Sequence, residues 1–274
     1  MSERPPLSGT VLITGASAGI GRALARRMVA EARRVVLVAR RTDRLEALAA
    51  ELRDVRLGIE VDVVSCDLAD AQAVDRLCDQ LVEEGGVDVL VNNAGFGDRA
   101  RLEESDPAKL QRMVAVNVAA VVLLTRRLVV GMVARGHGGV LNIGSVLGVL
   151  YQPGVATYAG TKHFIAGFSN ALRAEVKSVG ITVTEVRPGP VATEFVEIAA
   201  ARGGIRESPD LFRIDAETCA DQALRAFRRG HAVVYPGRLN RWLVRVAKLL
   251  PGFVVRWLMA RSGEKARARA LERV

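Results

Sequence analysis

Cysteine is scarce in this chain, with Cys66, Cys78 and Cys219 the three present among 274 residues. They form no C-x-x-C pair, and any disulfide scheme leaves one thiol over. That excludes a disulfide framework and argues against a zinc site; thiols kept reduced in a cytosol are the expectation. Histidine is equally rare, at three, and no metal-binding cluster is apparent. The first apolar run, Val11 to Ile13, is far too short to span a bilayer. Residues 1–7 lack the basic-then-apolar pattern of a secretory signal. A cytoplasmic protein is therefore expected. No repeat, low-complexity tract or Pro/Ser-rich linker breaks the sequence, and 50% of residues are apolar, enough for a substantial core.

The net charge of +9 is unevenly placed. From Pro236 to Val274 ten Lys/Arg face two Asp/Glu, a net +8, which leaves +1 for the first 235 residues. The body is nearly neutral and the tail strongly basic. No DNA- or RNA-binding pattern accompanies that charge, so a nucleic-acid partner is not expected.

Short apolar runs alternate with stretches of helical periodicity. The runs predict strands at Thr10–Thr14, Arg34–Ala39, Ile59–Cys66, Val87–Val91, Val140–Ile143, Ile181–Val186 and Ala232–Tyr235. Between them apolar residues recur at i, i+3 and i+4, as at Ala71, Val74, Leu77, Cys78 and Leu81. Near-continuous Val/Ile/Leu strands alternating with helices indicate a parallel sheet covered on both faces. The predicted fold is a single Rossmann-like, doubly wound α/β sheet of about seven strands over residues 1–235, followed by a basic amphipathic helical extension over 236–274. Ligands of such sheets bind beyond the carboxyl ends of the strands.

Thr10-Val-Leu-Ile-Thr-Gly15-Ala-Ser-Ala-Gly19-Ile-Gly21 runs from the first strand into a helix. Glycines there let the backbone turn sharply and approach a pyrophosphate resting on the free N–H groups of the helix start. The spacing is G-x-x-x-G-x-G, not the general dinucleotide G-x-G-x-x-G. The second strand ends in Arg40-Arg41 with no Asp or Glu at its tip. An acid there would hold the ribose 2′-hydroxyl of NAD, whereas an arginine accommodates the 2′-phosphate of NADP. NADP(H) is the expected cofactor, with Arg40 on the phosphate.

Further along stand Asn92-Asn93-Ala94-Gly95, Asn117, Ser145 and Tyr158-Ala-Gly-Thr-Lys162. With three tyrosines and five lysines in the chain, about 0.05 Tyr-x-x-x-Lys pairs are expected by chance. At this point the sequence resembles the short-chain dehydrogenase/reductase family, in its branch with T-G-x-x-x-G-x-G, N-N-A-G and Y-x-x-x-K, from about Thr10 to Thr193. The resemblance implies that Gly15, Ser17, Gly19, Ile20 and Gly21 form the pyrophosphate loop and that Asp67 meets the adenine amino group. It likewise implies that Asn93 and Gly95 wall the adenosine ribose and that Pro188, Gly189 and Thr193 hold the nicotinamide. Asn117, Ser145, Tyr158 and Lys162 match the family's catalytic four, with Lys162 also on the nicotinamide ribose.

The residues support that chemistry independently. Hydride transfer to a carbonyl needs a proton for the developing alkoxide, and the reverse needs a base. Tyrosine, with a free pKa of about 10, becomes a usable base beside a cation. Lys162 lies one helical turn after Tyr158 and shares its face. Ser145, just past a strand, can polarise the substrate oxygen. The expected activity is interconversion of a carbonyl and a secondary alcohol on a small molecule.

Val146-Leu-Gly-Val-Leu-Tyr151-Gln-Pro flanks the substrate in the family and is here almost wholly apolar. Pro190 to Phe212, with Phe195, Val196, Ile198 and Leu211, falls where the family has a mobile lid. These residues either line a site for a lipophilic carbonyl, lipid- or steroid-like, or simply pack. An acyl-carrier-bound 3-ketoacyl substrate is the alternative, and a catalytically retired cofactor-binding regulator a further one. A homodimer or homotetramer is expected. In the tail, apolar residues at Trp242, Leu243, Val246, Leu249, Leu250, Phe253, Val254, Trp257 and Leu258 form one stripe, interrupted at Pro251-Gly252, with Arg241, Arg245, Lys248 and Arg256 off it. Such a stripe suits an anionic membrane surface, placing the protein peripherally on an inner membrane face, or packs on the core, or forms a dimer interface.

Overall fold

The computed structural model describes residues 7–194 and 210–271. Seven parallel strands form the central sheet: β1 (Thr10–Thr14), β2 (Arg34–Ala39), β3 (Glu60–Ser65), β4 (Val89–Asn92), β5 (Gly138–Ile143), β6 (Ile181–Val186) and, at the edge, β9 (Val233–Val234), in the order β3-β2-β1-β4-β5-β6-β9. All seven coincide with predicted strands, β1, β2 and β6 at both ends and the other four to within two residues. Two further strands, β7 (Val191–Ala192) and β8 (Ile214–Asp215), pair with each other outside the sheet. At two residues apiece they carry no periodicity from which a strand could be read.

The helices are α1 (Gly19–Met28), α2 (Thr42–Val55), α3 (Ala71–Glu83), α4 (Pro107–Val114), α5 (Ala120–Arg135), α6 (Ala156–Val176), α7 (Ala216–Arg228), α8 (Arg238–Leu249) and α9 (Gly252–Leu271). Several starts are fixed by side-chain caps. Asp70 accepts from the N–H of Gln72, Asp106 from Ala108 ahead of Pro107, and Asp215 from Thr218.

Strand alternation builds a core on each face. Val11 and Ile13, Val35 and Leu37, Val89 and Val91, and Leu141 pack with Leu24, Met28, Leu45, Leu48 and Phe227 of α1, α2 and α7. Leu12, Val36, Val38, Leu90, Val140 and Val183 point the other way, onto Leu77, Leu81, Leu124, Leu128 and Leu172 of α3, α5 and α6. Each fully buried Leu or Val contributes about 1.5–3 kcal/mol, so neither face could be left bare. The sheet is doubly wound, Rossmann-like. All three cysteines are buried and free, Cys66 and Cys78 in the second core and Cys219 in the first.

The helical stretch Pro107–Arg135 is long and apolar enough to cross a membrane, the single such helix among the described residues. Its Leu124, Leu128 and Met132 are buried against the sheet, as a core helix requires. In the tail, α8 stops at Leu249, Leu250 is extended, and α9 restarts at Gly252. Pro251 disfavours a helical residue before it and lacks the N–H to continue the ladder.

Candidate active site

Where β1 passes into α1, Gly15 and Gly19 have φ of +66° and +54°, a region in which a side chain is strained. A Cβ at Gly21 would lie 2.5 Å from the carbonyl oxygen of Gly15, so the loop closes on the helix only with glycine there. The α1 cap, Ala18, offers no side-chain acceptor, and the first turn carries no acid. Its N–H groups are left for an anion. Asn93 pins the loop from beneath, its Nδ2 donating to the carbonyls of Thr14 (2.9 Å) and Gly15 (3.1 Å). Ile20 packs against the first core and fixes the helix start.

Three arginines crowd the tip of β2. Arg40 is exposed, and its charge bears on Asp67. Arg41 turns inward, donating to Ser17 Oγ (3.2 Å) and to Glu194 Oε2 (2.9 Å), while Arg44 pairs with the other oxygen of Glu194. A cleft of about 310 Å³ opens here, lined by Ser17, Gly19, Arg22, Arg44 and Glu194 among others. The sequence singles out Arg40; the structure brings Arg41 and Arg44 to the glycine loop. A run of arginines gives no ranking until the turn after β2 sets their directions. Asp67 follows β3, with Oδ2 held by Arg112 (2.6 Å) and Oδ1 by the N–H of Ala69 (3.0 Å). Burial opposes its ionisation, but those bonds and the arginine charges win and keep its carboxyl below the usual value.

On the other side of the switch in strand order lie the catalytic candidates. Ser145 follows β5, and its hydroxyl hydrogen bonds the half-buried Tyr158 of α6. Lys162, one turn on and 5% exposed, sits over the Tyr158 ring with Nζ 5.7 Å from its centroid and donates to the carbonyl of Ile143 (2.8 Å). Burial lowers the Lys162 ammonium to about 8, against the opposing charge of Glu185. Burial also pushes the Tyr158 phenol up to about 12, partly offset by Ser145 and Arg99. In the protein alone, burial therefore outweighs any help Lys162 gives the phenolate. Tyr158 keeps its proton.

Asn117 occupies a π-helical turn, Ala115–Ala119, between α4 and α5, an irregularity that often marks functional sites. Its side chain clasps the backbone of Phe96, accepting from its N–H (3.1 Å) and donating to its carbonyl (2.9 Å), and also donates to Thr161 Oγ1 (3.1 Å). Gly95 lets Asn117 and Lys162 close in: a Cβ there would lie 3.0 Å from Asn117 Oδ1 and 3.7 Å from Lys162 Nζ. Pro188 accepts from the N–H of Val146 (2.9 Å), tying the segment after β6 to that after Ser145. Gly189 lies under Asn240 of α8, and Thr193 leans over Gly19. Phe195, Val196 and Ile198 of the expected lid lie outside the described residues, and Leu211 is exposed.

A family model described as short chain dehydrogenase matches residues 9–202. Serine 3-dehydrogenase of Agrobacterium fabrum is 38% identical over 205 residues, 74% of this chain and 80% of that protein. The chain belongs to the short-chain dehydrogenase/reductase family. Among solved structures, a short-chain dehydrogenase from Sphingobium yanoikuyae in complex with NADPH is 32% identical at a TM-score of 0.78, covering 88% of this chain and 93% of that one. The bulky-bulky ketone specific alcohol dehydrogenase of Comamonas testosteroni is 27% identical at a TM-score of 0.73, covering 89% and 95%. This short-chain dehydrogenase/reductase is an oxidoreductase of alcohol and carbonyl groups that uses NADP(H). Its glycine cradle, bare helix start and convergent arginines fit that cofactor.

Two supports of this dehydrogenase's site escape sequence reading. Asn92 donates to Thr125 Oγ1 and to Asn142 Oδ1, and Asn142 to Ser169 Oγ, a buried chain linking β4, β5 and α6. Behind Lys162, buried Glu185 accepts from Arg187 (2.6 Å), which donates also to the Tyr235 hydroxyl (2.8 Å). A glutamate inside a β6 of otherwise apolar and Thr residues, with an arginine just past its end, was the available signal.

Proposed function

We propose that this enzyme reduces ketones bearing bulky apolar groups, with Tyr158 as proton donor, Ser145 as the hydrogen-bond partner of the carbonyl oxygen, and Lys162 and Asn117 supporting them. The observation that carries this reading is the Tyr158 phenol, protonated and joined to Ser145 at the carboxyl end of β5. A protonated acid at neutral pH is what carbonyl reduction demands. NADPH, when bound, supplies the hydride. The side chains do the rest: Ser145 and Tyr158 fix the carbonyl oxygen, Tyr158 yields its proton to it, and Lys162, anchored on Ile143, places positive charge beside the phenolate left behind.

The lipophilic preference rests on the lining. Beside Tyr158 a small crevice is walled by Ala100, Leu102, Leu110 and Val155, with Ser105 and Thr157 among them, and the apolar Val146, Leu147, Val149 and Leu150 follow Ser145. Asp98, also in that wall, is already held by Lys109 (2.5 Å). That lining suits the bulky ketones named for the Comamonas testosteroni enzyme better than the amino acid named for the Agrobacterium fabrum one. The test is an NADPH-oxidation screen against ketones, aldehydes and acyl thioesters of graded hydrophobicity. Rates should rise with apolar bulk; a sharp preference for acyl thioesters would favour the ketoacyl alternative, and no turnover at all would favour a retired regulator.

The tail gives a second reading, peripheral attachment to an anionic membrane from the cytoplasmic side. Trp242, Leu249, Phe253 and Trp257 are 60%, 84%, 67% and 55% exposed among the described residues. Two such faces, each from a tail of net +8, would repel one another, whereas anionic headgroups attract them. The far end of α9 reaches the substrate side: Gly263 faces Pro153, and Arg267 pairs with Glu103. Lipid bound there would lie beside the site entrance. For assembly into a homodimer or homotetramer, the exposed Val122, Val130 and Val133 of α5 and Phe164 of α6 offer an apolar face of their own.

A further inference from the structure

Beside the glycine loop, an anion-binding corner is already filled by the chain itself. Glu194 stands between two guanidinium groups. Its Oε2 accepts from Arg41 Nη1 at 2.9 Å, and its Oε1 accepts from Arg44 Nη1. Arg41 simultaneously donates through Nη2 to Ser17 Oγ at 3.2 Å. Two arginines and the loop serine thus converge on one carboxylate, at the edge of the cleft beside the start of α1. The two arginines hold the Glu194 carboxyl below its ordinary value, so it is charged at neutral pH. All three side chains stay about two-fifths exposed, Arg41 40%, Arg44 42% and Glu194 37%. An ion pair that open is weak and exchangeable.

A carboxylate bridging two guanidinium forks presents two oxygens much as a phosphate monoester does, but with less charge and one oxygen fewer. We propose that Glu194 is an internal placeholder for the 2′-phosphate of NADP(H): it occupies Arg41 and Arg44 when the cofactor is away, yields them to the dianionic phosphate, and retakes them as the spent cofactor leaves. The proposal rests on the NADP(H) reading of the site and assigns the phosphate contacts to Arg41, Arg44 and Ser17, with Arg40 at the rim. Glu194 then acts as a competitor inside the site. It loosens NADP(H) selectively, because NADH has only a hydroxyl at that position and makes no claim on the arginines.

The test is direct binding of NADPH, NADH, 2′,5′-ADP and 5′-AMP to the full-length protein and to Glu194→Gln, Glu194→Asp, Arg41→Ala and the Glu194→Gln/Arg41→Ala pair. Glu194→Gln should bind NADPH and 2′,5′-ADP roughly fivefold more tightly and leave NADH and 5′-AMP unchanged, which also shows that the site remains folded. Glu194→Asp, which keeps the charge, should stay near the parent. Arg41→Ala should weaken NADPH at least about tenfold and shrink the gain from Glu194→Gln in the double variant, because without Arg41 only Arg44 remains for Glu194 to occupy. If Arg41→Ala weakens NADPH but Glu194→Gln does not tighten it, the cofactor site stands and the placeholder is overturned. If Glu194→Gln alters NADPH and NADH alike, its role is structural and the placeholder is again overturned. If Arg41→Ala leaves NADPH untouched, the phosphate assignment itself fails.

Discussion

Asn240 stands directly over Gly189: a Cβ added at 189 would come within 2.5 Å of the Asn240 amide group. That amide donates to the carbonyl of Phe212 (3.1 Å) and is buried, as is Val244 one turn on. The first tail helix is therefore wedged against the loop between β6 and β7, while its apolar stripe faces out. Gly189→Ala should cost about 1–3 kcal/mol by overpacking and raise the KM for NADPH, because the loop matched to the nicotinamide must shift. Thermal denaturation and steady-state kinetics check both; an alanine variant with unchanged melting and KM would show that the wedge gives way freely.

Tyr158→Phe removes only the proton donor. Turnover should fall by about 10²–10⁴-fold, with NADPH affinity nearly intact. Retention of more than a few per cent of activity would remove Tyr158 from the acid/base role. Lys162→Ala should damage turnover and cofactor affinity together.

The two directions of reaction should respond oppositely to pH. Reduction needs the Tyr158 phenol, which burial holds at about 12 in the protein alone; its rate should stay level through neutral pH and fall only on the alkaline side. Oxidation needs the phenolate, whose fraction grows about tenfold per pH unit below the pKa. Its rate should climb with pH, then slacken as Lys162, lowered by burial to about 8, gives up the charge that steadies the phenolate. Rates of both directions on one ketone–alcohol pair, from acid to alkaline buffer, decide the matter. A reduction rate rising with pH would contradict it.

For the tail, co-sedimentation should show binding to anionic vesicles that weakens with salt and is absent with neutral ones. Replacing Trp242, Leu249, Phe253 and Trp257 by Ser should abolish it without altering turnover of a water-soluble ketone. A full-length protein left in the supernatant with anionic vesicles at low salt would leave the exposed stripe to a second copy.

The sheet was legible because its strands are buried on both faces and read as apolar runs; β7 and β8, fixed by loop geometry, were not. The glycine loop was legible because positive φ and close approach leave glycine as the residue that fits. Tyr158 and Lys162 were legible through helical spacing. What sequence could not supply was direction. It could not show that Arg41 rather than Arg40 turns inward, that Asn117 grips Phe96 across a π-helical turn, or that Asn240 reaches Gly189 from a different part of the chain.

The burial of the three thiols turns them into built-in reporters. Burial lifts Cys78 to about 11 and Cys219 to about 12 and also raises Cys66, so none is a thiolate at neutral pH. An alkylating reagent should ignore the native enzyme and modify each cysteine only as its surroundings open. Cys66 and Cys78 lie under one face of the sheet and Cys219 under the other. Mass spectrometry of timed labelling would thus clock the loosening of the two sides separately, with no engineered probe.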